Sequence, residues 1–395
     1  MHWIVLKLLT FHSVSGIKQW FAKLQLPLLP PAFAPATGSL AWNHLSGRGM
    51  PPTKGSTSDR GVPGLGGGSR WLNLAGSGGE SDTPGGDDLG GLYHTPVMAD
   101  EVVEWLLPGP GKLLMDCTFG GGGHTKRLLE HGAGVLALDR DADALMQAQE
   151  LAEEWEKDFV ALRTTFDCYP DILGEASVGG VDGILLDVGV SSWQLDSPNR
   201  GFSFRFDGPL DMRMDRDAPL TAEEIVNTWP QEELARIFYT YGEEKASRRV
   251  AAAIEVRRRQ KAIFTTADLA DLVASVIPRR GSAHPATKIF QALRIAVNDE
   301  LGCLERALEQ AHHWLRPGGR LAVITFHSLE DRIVKNYMRR HSEPFVDRPE
   351  WPAPRPSSEC FYRLPVRKAI TAGAAEQAAN PRSRSAKLRV AERLA

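Results

Sequence analysis

The chain has 395 residues, of which 42% are hydrophobic and 24% are charged, and its formal net charge is −3. This composition is typical of a globular protein of about two or three domains, and it excludes the chain-wide basic field of a histone-like binder. The four cysteines are far apart and form no C-x-x-C pair, which predicts free thiols in the cytoplasm and neither a zinc site nor a disulfide framework. No apolar run reaches the ~20 residues of a membrane span.

The composition changes near residue 92. Residues 51–91 are rich in Gly, Ser and Pro and have little apolar periodicity, which predicts disorder. The first 30 or so residues are apolar, and no acidic residue precedes Asp59. This pattern resembles a transit peptide, or it is upstream DNA translated from a misassigned start, with Met50 or Met98 as later candidates. Residues 1–92 are therefore expected to be a disordered extension or a misassigned start, without chemistry.

From Tyr93 onward, strand and helix patterns alternate. They are "KLLMDCTF" (112–119), "HTKRLLEHG" (124–132), "GVLALDRD" (134–141), "ADALMQAQELAEEWEK" (142–157), "VDGILLDVGV" (181–190) and "GGRLAVITFHS" (318–328). Such alternation predicts an α/β fold with a doubly wound, mostly parallel sheet. In these sheets ligands bind at the carboxyl ends of the strands.

Polar residues stand at those predicted ends. Asp116, Asp139 and Asp187 each close a strand, and His327 follows the last one. The glycines at 120–123 form the turn from the first strand into its helix, where backbone N–H groups can face a ligand. An isolated glycine run is more often a flexible loop, but its position between a buried strand and a helix favours a ligand site.

The ligand is predicted to be nucleotide-like. A dinucleotide fingerprint starting at Gly120 needs glycine or alanine at 125 and finds Thr125, which weakens the NAD interpretation without excluding it. Asp139 can accept the two ribose hydroxyls of NAD or of S-adenosylmethionine. The alternative role of helix N-cap belongs more naturally to Asp141.

The sequence resembles the ribosomal RNA small subunit methyltransferase H family, which methylates N4 of a cytidine in small-subunit ribosomal RNA. The stretches that carry the resemblance span residues 93 to 395: "YHTPVMADEVVEWL" (93–106), "DCTFGGGGHT" (116–125), "LALDRD" (136–141), "DGILLDVGVSSWQLDSPNRGFSFRFDGPLDMRMD" (182–215), "TYGEEKASRRVA" (240–251), "HPATKIFQALRIAVNDEL" (284–301), "PGGRLAVITFHSLEDRIVK" (317–335) and "NPRSRSAKLRVAER" (380–393). The resemblance implies a Rossmann-like class I S-adenosylmethionine methyltransferase sheet.

The resemblance also implies the residues that bind S-adenosylmethionine. They are Gly122, Gly123 and His124 in the loop, Asp139 at the ribose, Phe166 beside the adenine, and Asp187 and Gln194 at the methionine and substrate end. The residue pattern alone indicates the loop and the two aspartates. Phe166 and Gln194 rest on the resemblance, and without it Phe166 would be interpreted as an ordinary core aromatic.

Methylation of an exocyclic amine requires mainly that the amine be held in line with the S–CH₃ bond, and it requires no metal. Asp187 can accept an amino proton and stabilise the charge that develops on nitrogen. Ser191, with Ser192, either orients the base or caps a helix. His327 is a second candidate, as a base or an RNA contact, with a structural capping role as the alternative. The segment "DVGVSSW" lacks the Asp/Asn/Ser-Pro-Pro-aromatic tetrad of many DNA amino-methyltransferases, so that mechanism is not transferred.

Residues 200–310 are predicted to be an inserted, mainly helical domain for substrate recognition, which leaves 93–199 and 311–395 as the methyltransferase domain. The predicted helix 243–261 carries seven Lys/Arg against three Glu, and residues 361–395 carry eight against two. Either segment alone could be a solvated face, but together they favour an RNA backbone as the partner. The resemblance implies that this RNA is 16S ribosomal RNA, within the small subunit. A nicotinamide-dependent oxidoreductase or a non-catalytic ribosome-assembly factor would share some of these features, but neither would match the family over this length.

Overall fold

The structure is a computed structural model that describes residues 18, 20, 96–279 and 284–395. Strands and helices alternate over most of the described chain. The described residues form nine strands, which are β1 (Leu113–Asp116), β2 (Gly134–Asp139), β3 (Phe159–Arg163), β4 (Val181–Asp187), β5 (Leu315–Thr325), β6 (Phe345–Val346), β7 (Arg355–Pro356), β8 (Tyr362–Arg363) and β9 (Lys387–Arg393). The predicted strands differ from β1, β2, β4 and β5 by at most three residues at either end.

The helices divide into those near the sheet strands in the chain and those between Ala222 and Asn298. The first group is α1 (Ala99–Leu106), α2 (Gly123–Glu130), α3 (Ala142–Glu154), α4 (Tyr169–Glu175), α5 (Ser192–Asp196), α11 (Glu300–Trp314), α12 (Ser328–Arg340) and α13 (Ala374–Ala379). The second group is α6 (Ala222–Thr228), α7 (Gln231–Thr240), α8 (Ser247–Gln260), α9 (Thr266–Val276) and α10 (Thr287–Asn298).

Seven strands form one sheet in the order β3-β2-β1-β4-β5-β9-β8. The first five strands of this order, β3, β2, β1, β4 and β5, are mutually parallel. In contrast, β9 runs antiparallel to β5, and β8 runs antiparallel to β9. The predicted Rossmann-like, mostly parallel α/β sheet is therefore confirmed. Because β1 lies between β2 and β4, the chain leaves β1 toward one side of the sheet and later returns on the other. The carboxyl ends of β1 and β4 flank the crevice in which such sheets bind ligands.

Both faces of the sheet are covered by apolar side chains. In β1, Leu113 and Met115 point into one buried cluster and Leu114 into another, as the two-residue period of a strand requires. The four residues of β1 are all buried, which agrees with the continuous apolar pattern of a parallel strand.

A third buried cluster is built by α6 to α10 and the loop before them, with members between Phe202 and Leu293. In contrast, α11 packs on the sheet through Leu304, Leu308 and Trp314. The helical content of the expected insertion is thus present. Its last helix contributes to the core of the sheet, however, and the division into domains stays a prediction.

Only two of the described residues belong to the segment before residue 96. Trp20 is buried against the sheet cluster that contains Leu113, and its indole N–H donates to the carbonyl of Lys157 at 3.0 Å. The rest of the expectation for residues 1–92 lies outside the described residues. Among the helices of the described residues, none is both long and apolar enough to cross a membrane.

Candidate active site

Polar side chains meet at one edge of the sheet. Asp116, Asp139 and Asp187 are the last residues of β1, β2 and β4, and His327 comes shortly after β5. These strands are parallel neighbours, so their carboxyl ends lie side by side. The structure thus brings the strand-end residues singled out in the sequence to the expected edge.

Contacts within the protein explain two of the loop glycines. Gly122 precedes α2 with a φ of +75°, a conformation that disfavours any side chain. A Cβ on Gly122 would lie 2.6 Å from the ring of Phe119 and 2.8 Å from Cδ1 of Leu151, and a Cβ on Gly123 would lie 3.0 Å from Pro96. The N–H of Gly122 also donates to the carbonyl of Phe119 at 2.8 Å. The sequence predicts that a ligand occupies the space where a Cβ would lie at these glycines, whereas side chains of the protein fill it. The cofactor contacts of both glycines stay predictions.

Asp139 is held by two backbone donors. Its Oδ2 accepts the N–H of Gly120 at 2.8 Å, and its Oδ1 accepts the N–H of Asp141 at 2.8 Å. Burial raises the pKa of Asp139 to about 6. Each carboxylate oxygen keeps one lone pair, so the side chain can still accept two ribose hydroxyls. As the sequence predicts, the helix N-cap is Asp141, whose side chain accepts the N–H of Asp143.

Sequence reasoning did not find the network around Asp116. This carboxylate is fully buried and accepts the hydroxyl of Thr125 at 2.7 Å and the N–H of Thr118 at 3.1 Å. The Thr118 hydroxyl in turn accepts the N–H of Asp187 at 2.7 Å. Burial raises the pKa of Asp116, although the neighbouring His124 acts to lower it. The network couples the ends of β1 and β4, and no local sequence signal indicates it.

His124 and Asp187 face each other at these strand ends. Nε2 of His124 lies 3.4 Å from Oδ2 of Asp187, without hydrogen-bond geometry. The His124 side chain is 6% exposed and that of Asp187 is 22% exposed. Within the described residues, neither ring nitrogen of His124 has a hydrogen-bond partner, and Oδ1 of Asp187 accepts no hydrogen bond. Buried polar atoms without partners are rare and mark a place where a ligand can supply them.

Ser191 caps α5, the helix that follows Asp187. Its hydroxyl accepts the N–H of Gln194 at 3.2 Å, and the Gln194 side chain accepts the N–H of Ser191 at 3.0 Å. The capping alternative therefore describes Ser191 in this structure. Gln194 is buried, and its amide donates to Oδ2 of Asp141 at 2.7 Å. Its contact with a ligand, and a catalytic role of Ser191, stay predictions.

A buried arginine holds the same region and was missed in the sequence. Arg200 is 2% exposed, lies 2.8 Å from Oδ2 of Asp141 and donates to Asp143 at 2.8 Å. It also donates to the carbonyls of Arg213 and Met214 at 3.0 Å. A single arginine in a polar loop carries no signal in the sequence that separates it from a solvated residue.

Phe166 lies in a 3-10 turn that follows β3. Its ring is half-buried and packs against the sheet cluster, so it resembles the ordinary core aromatic of the alternative interpretation. The expected contact with an adenine stays a prediction.

His327 is the N-cap of α12, where it interacts with Glu330. Its Nδ1 accepts the N–H of Glu330 at 3.5 Å, and its Nε2 lies 2.9 Å from Oε1 of Glu330. The structural alternative therefore applies at the start of a helix, and the catalytic role stays a prediction. Atoms of Glu300, His327 and Glu330 lie within 4.8 Å of one another, as metal ligands can. However, Glu300 binds Arg294 through two hydrogen bonds of 2.8 Å, and Glu330 accepts backbone N–H groups.

The basic helix begins later than predicted, because α8 starts at Ser247 and Glu243 adopts a φ of +48° outside it. The carboxylate of Glu243 instead accepts the Ser328 hydroxyl at 2.8 Å. Most of the arginines near the end of α8 contact groups of the protein. Arg248 and Arg249, in contrast, are exposed and have no side-chain partner among the described residues.

The C-terminal basic segment is divided in the same way. Five of its basic residues bind protein groups, namely Arg363, Arg382, Lys387, Arg389 and Arg393. Arg367, Lys368 and Arg384 are exposed and pair with no described side chain. Charge counts in the sequence therefore overstate the number of free cations.

Comparisons with known proteins agree with this architecture. Residues 91–394 match the model of the MraW methylase family. Ribosomal RNA small subunit methyltransferase H of Rhodospirillum centenum is 52% identical over 315 residues, which are 79% of this chain and 95% of that protein. The protein of the same name from Symbiobacterium thermophilum is 47% identical over 313 residues, 77% of this chain and 97% of that protein.

A solved structure of an rRNA methylase from Streptococcus thermophilus aligns with 75% of this chain and 94% of its own, at 10% identity and a TM-score of 0.34. That likeness is too weak to carry weight, whereas the family match extends over nearly all of the chain described from residue 96. The chain belongs to the MraW methylase family.

Proposed function

We propose that this chain transfers the methyl group of S-adenosylmethionine to N4 of a cytidine in 16S ribosomal RNA. The observation that carries the proposal is the 52% identity to a ribosomal RNA small subunit methyltransferase H over 95% of that relative's length. The partner is the RNA within the small ribosomal subunit, and the reaction takes place in the cytoplasm.

The strand-end residues fit such a methyl donor. Asp139 keeps two free lone pairs for the ribose hydroxyls, and the turn at Phe166 follows the neighbouring strand β3, which suits a contact with the adenine. His124 and Asp187 offer buried polar atoms without partners, as a polar ligand requires. Gly122, Gly123 and Gln194 complete the proposed set of donor-binding residues by shaping the loop and fixing α5.

The donor supplies an electrophilic methyl group, and the residues of this chain orient the amine that receives it. Asp187 Oδ1 is the proposed acceptor of an amino hydrogen of the target base. This role is supported by its burial and by the lack of a donor to it among the described residues. An ionised carboxylate at this point stabilises the positive charge that develops on N4. The Ser191 hydroxyl can still donate its proton to the base while its oxygen caps α5. His327 lies after the neighbouring strand β5 and is the proposed contact to the RNA backbone.

The RNA backbone is proposed to bind the exposed cations that have no side-chain partner among the described residues. These include Arg248, Arg249, Arg367, Lys368 and Arg384, which lie in the two basic segments. The net charge of the chain is −3, so its electrostatic footprint for RNA has to be local, as these positions allow.

The test is transfer of isotopically labelled methyl from S-adenosylmethionine to small subunits that lack the modification, in parallel with naked 16S ribosomal RNA. Nucleoside mass spectrometry should find the label in N4-methylcytidine. Label in another nucleoside, or none when donor binding is verified by calorimetry, would refute the assignment of the substrate.

Asp187→Asn tests the proposed acceptor. We expect the rate of methyl transfer at saturating donor to fall by about 100-fold or more. Asp171→Asn is the matched control, because Asp171 is an exposed aspartate of α4. A near-normal rate in Asp187→Asn would exclude Asp187 as the acceptor while leaving the substrate assignment intact.

A further inference from the structure

The pair of His124 and Asp187 combines a carboxylate with an imidazole that can be protonated, and binding of a methyl donor alone does not explain this combination. One carboxylate oxygen of Asp187, Oδ2, faces Nε2 of His124 at 3.4 Å, while the other, Oδ1, is buried without a donor among the described residues. Neither nitrogen of His124 is fixed by a backbone group within the described chain. The ring is therefore not confined to one tautomer and can take up or release a proton in place.

The surroundings of His124 favour its protonated form. Burial acts to lower the pKa of His124, but the carboxylates of Asp187, Asp116 and Glu376 outweigh it, so that the pKa is raised above the ordinary value of 6.5. These three groups act electrostatically on the ring from β4, β1 and α13. Glu376 is itself anchored, because its Oε1 accepts the N–H of Met98 at 2.8 Å.

The position of His124 on its own helix acts in the other direction. It is the second residue of α2, and the N-terminus of a helix disfavours a cation. The basic residues Lys126 and Arg127 of α2 are less buried, and Arg127 pairs with Asp100. Protonation of His124 therefore depends on the carboxylates that lie across from it, and above all on Asp187.

We propose that His124 is a positioning residue that holds Asp187 with Oδ1 toward the target amine. The amine releases a proton on methylation, and the pair takes up this proton and stores it on His124. This inference rests on the proposed function and deepens it. When N4 bonds to the methyl carbon, the S–CH₃ bond breaks and its electron pair stays on sulfur. N4 then loses one proton, and the pair, which starts with a neutral His124 and an ionised Asp187, gains that proton.

An N–H donor could also reach Asp187 Oδ1 from the ammonium group of the methyl donor. The two sources predict different effects. If Oδ1 binds the ammonium group, loss of Oδ1 would change donor affinity. If Oδ1 binds the base amine, its loss changes the rate of transfer at saturating donor. We assign Oδ1 to the amine, because its neighbour can accept a proton and the ammonium group needs only a fixed charge.

The experiment compares the full-length wild-type chain with His124→Gln. His131→Gln is the matched control, since His131 lies at the end of the same helix and is exposed. The donor dissociation constant is measured by calorimetry with S-adenosylmethionine. The single-turnover rate of methyl transfer to unmodified small subunits is measured from pH 5.5 to 8.5 at saturating donor.

We expect the wild-type rate to rise with pH as His124 becomes neutral and then to level off. In His124→Gln the plateau at saturating donor should fall about 100-fold and the pH dependence should disappear, in addition to any change in the donor dissociation constant. His131→Gln should behave as the wild type. A His124→Gln variant with the wild-type rate and pH profile would overturn the inference, and so would a loss that appears wholly in donor affinity.

A second measurement covers the case in which His124→Gln does not fold. Asp187→Asn preserves the size of the side chain, and NMR titration of the histidine ring reports the His124 pKa directly. We expect that pKa to be lower in Asp187→Asn than in the wild type. An unchanged titration would overturn the coupling. Failure of the proposed function looks different, because the wild type would then form no N4-methylcytidine.

Discussion

Gly122→Ala tests whether the glycine loop is shaped by the protein or reserved for a ligand. At a φ of +75° an alanine costs roughly 1–2 kcal/mol of folding free energy. Its Cβ would also lie 2.6 Å from Phe119 and 2.8 Å from Leu151, and overpacking of this kind costs roughly a further 1–3 kcal/mol. We therefore expect the free energy of unfolding to fall by about 2–5 kcal/mol in the absence of any ligand.

Gly111→Ala provides the control for this prediction. Gly111 has a φ of +76°, but a Cβ there meets nothing within 4 Å. The free energy of unfolding of Gly111→Ala should therefore fall only by the backbone contribution. Both variants are unfolded in urea, and the free energies come from linear extrapolation. If Gly122→Ala loses no more free energy of unfolding than Gly111→Ala, the packing argument is wrong.

Three further predictions follow from the buried charges and the exposed cations. Arg200→Met should destabilise the chain by roughly 3–5 kcal/mol, because it leaves the buried carboxylate of Asp141, just before α3, without its cation; urea unfolding measures this, and a loss below about 1 kcal/mol would contradict it. Protonation of Asp139, whose pKa burial raises to about 6, removes an acceptor. Affinity for S-adenosylmethionine should therefore weaken as the pH falls below about 6, by up to about tenfold per pH unit, whereas Asp139→Asn should show weaker binding that does not vary with pH; calorimetry that finds the same pH dependence in both would refute the role of Asp139. The double substitution Arg248→Gln, Arg249→Gln should weaken binding to 16S ribosomal RNA. It should also reduce the slope of log K against the logarithm of the salt concentration by roughly 1–2. Arg236→Gln is its control, since Arg236 already pairs with Glu233 at 2.7 Å, and equal effects in a filter-binding salt titration would remove α8 from the interface.

The placement of the site was accessible from the sequence because it depends on local patterns. A strand, a glycine turn and a helix follow one another in the chain, so Asp116 and Asp139 could be assigned to strand ends before any contact was known. The N-cap at Asp141 is equally local, since it depends on an acidic residue just before an apolar helical period.

The partners of the site residues were not accessible in this way. The sequence allows Ser191 to be a helix cap or a base contact, and the capping contact is established only by its hydrogen bonds with Gln194. For His327 the capping contact depends on Glu330, three residues later. Side-chain rotamers and the direction of a buried amide depend on neighbours from other elements, which a residue pattern does not specify.

By itself the sequence determined the alternation of strands and helices, the strand ends that carry acidic residues, and the resemblance to a methyltransferase family. The tertiary structure decided which of these residues meet. His124 and Asp187 belong to α2 and to the end of β4, and they face each other because β1 and β4 are neighbours in the sheet. Long-range pairing of strands sets such contacts, and the periodicity of a single segment contains no information about its neighbour in the sheet.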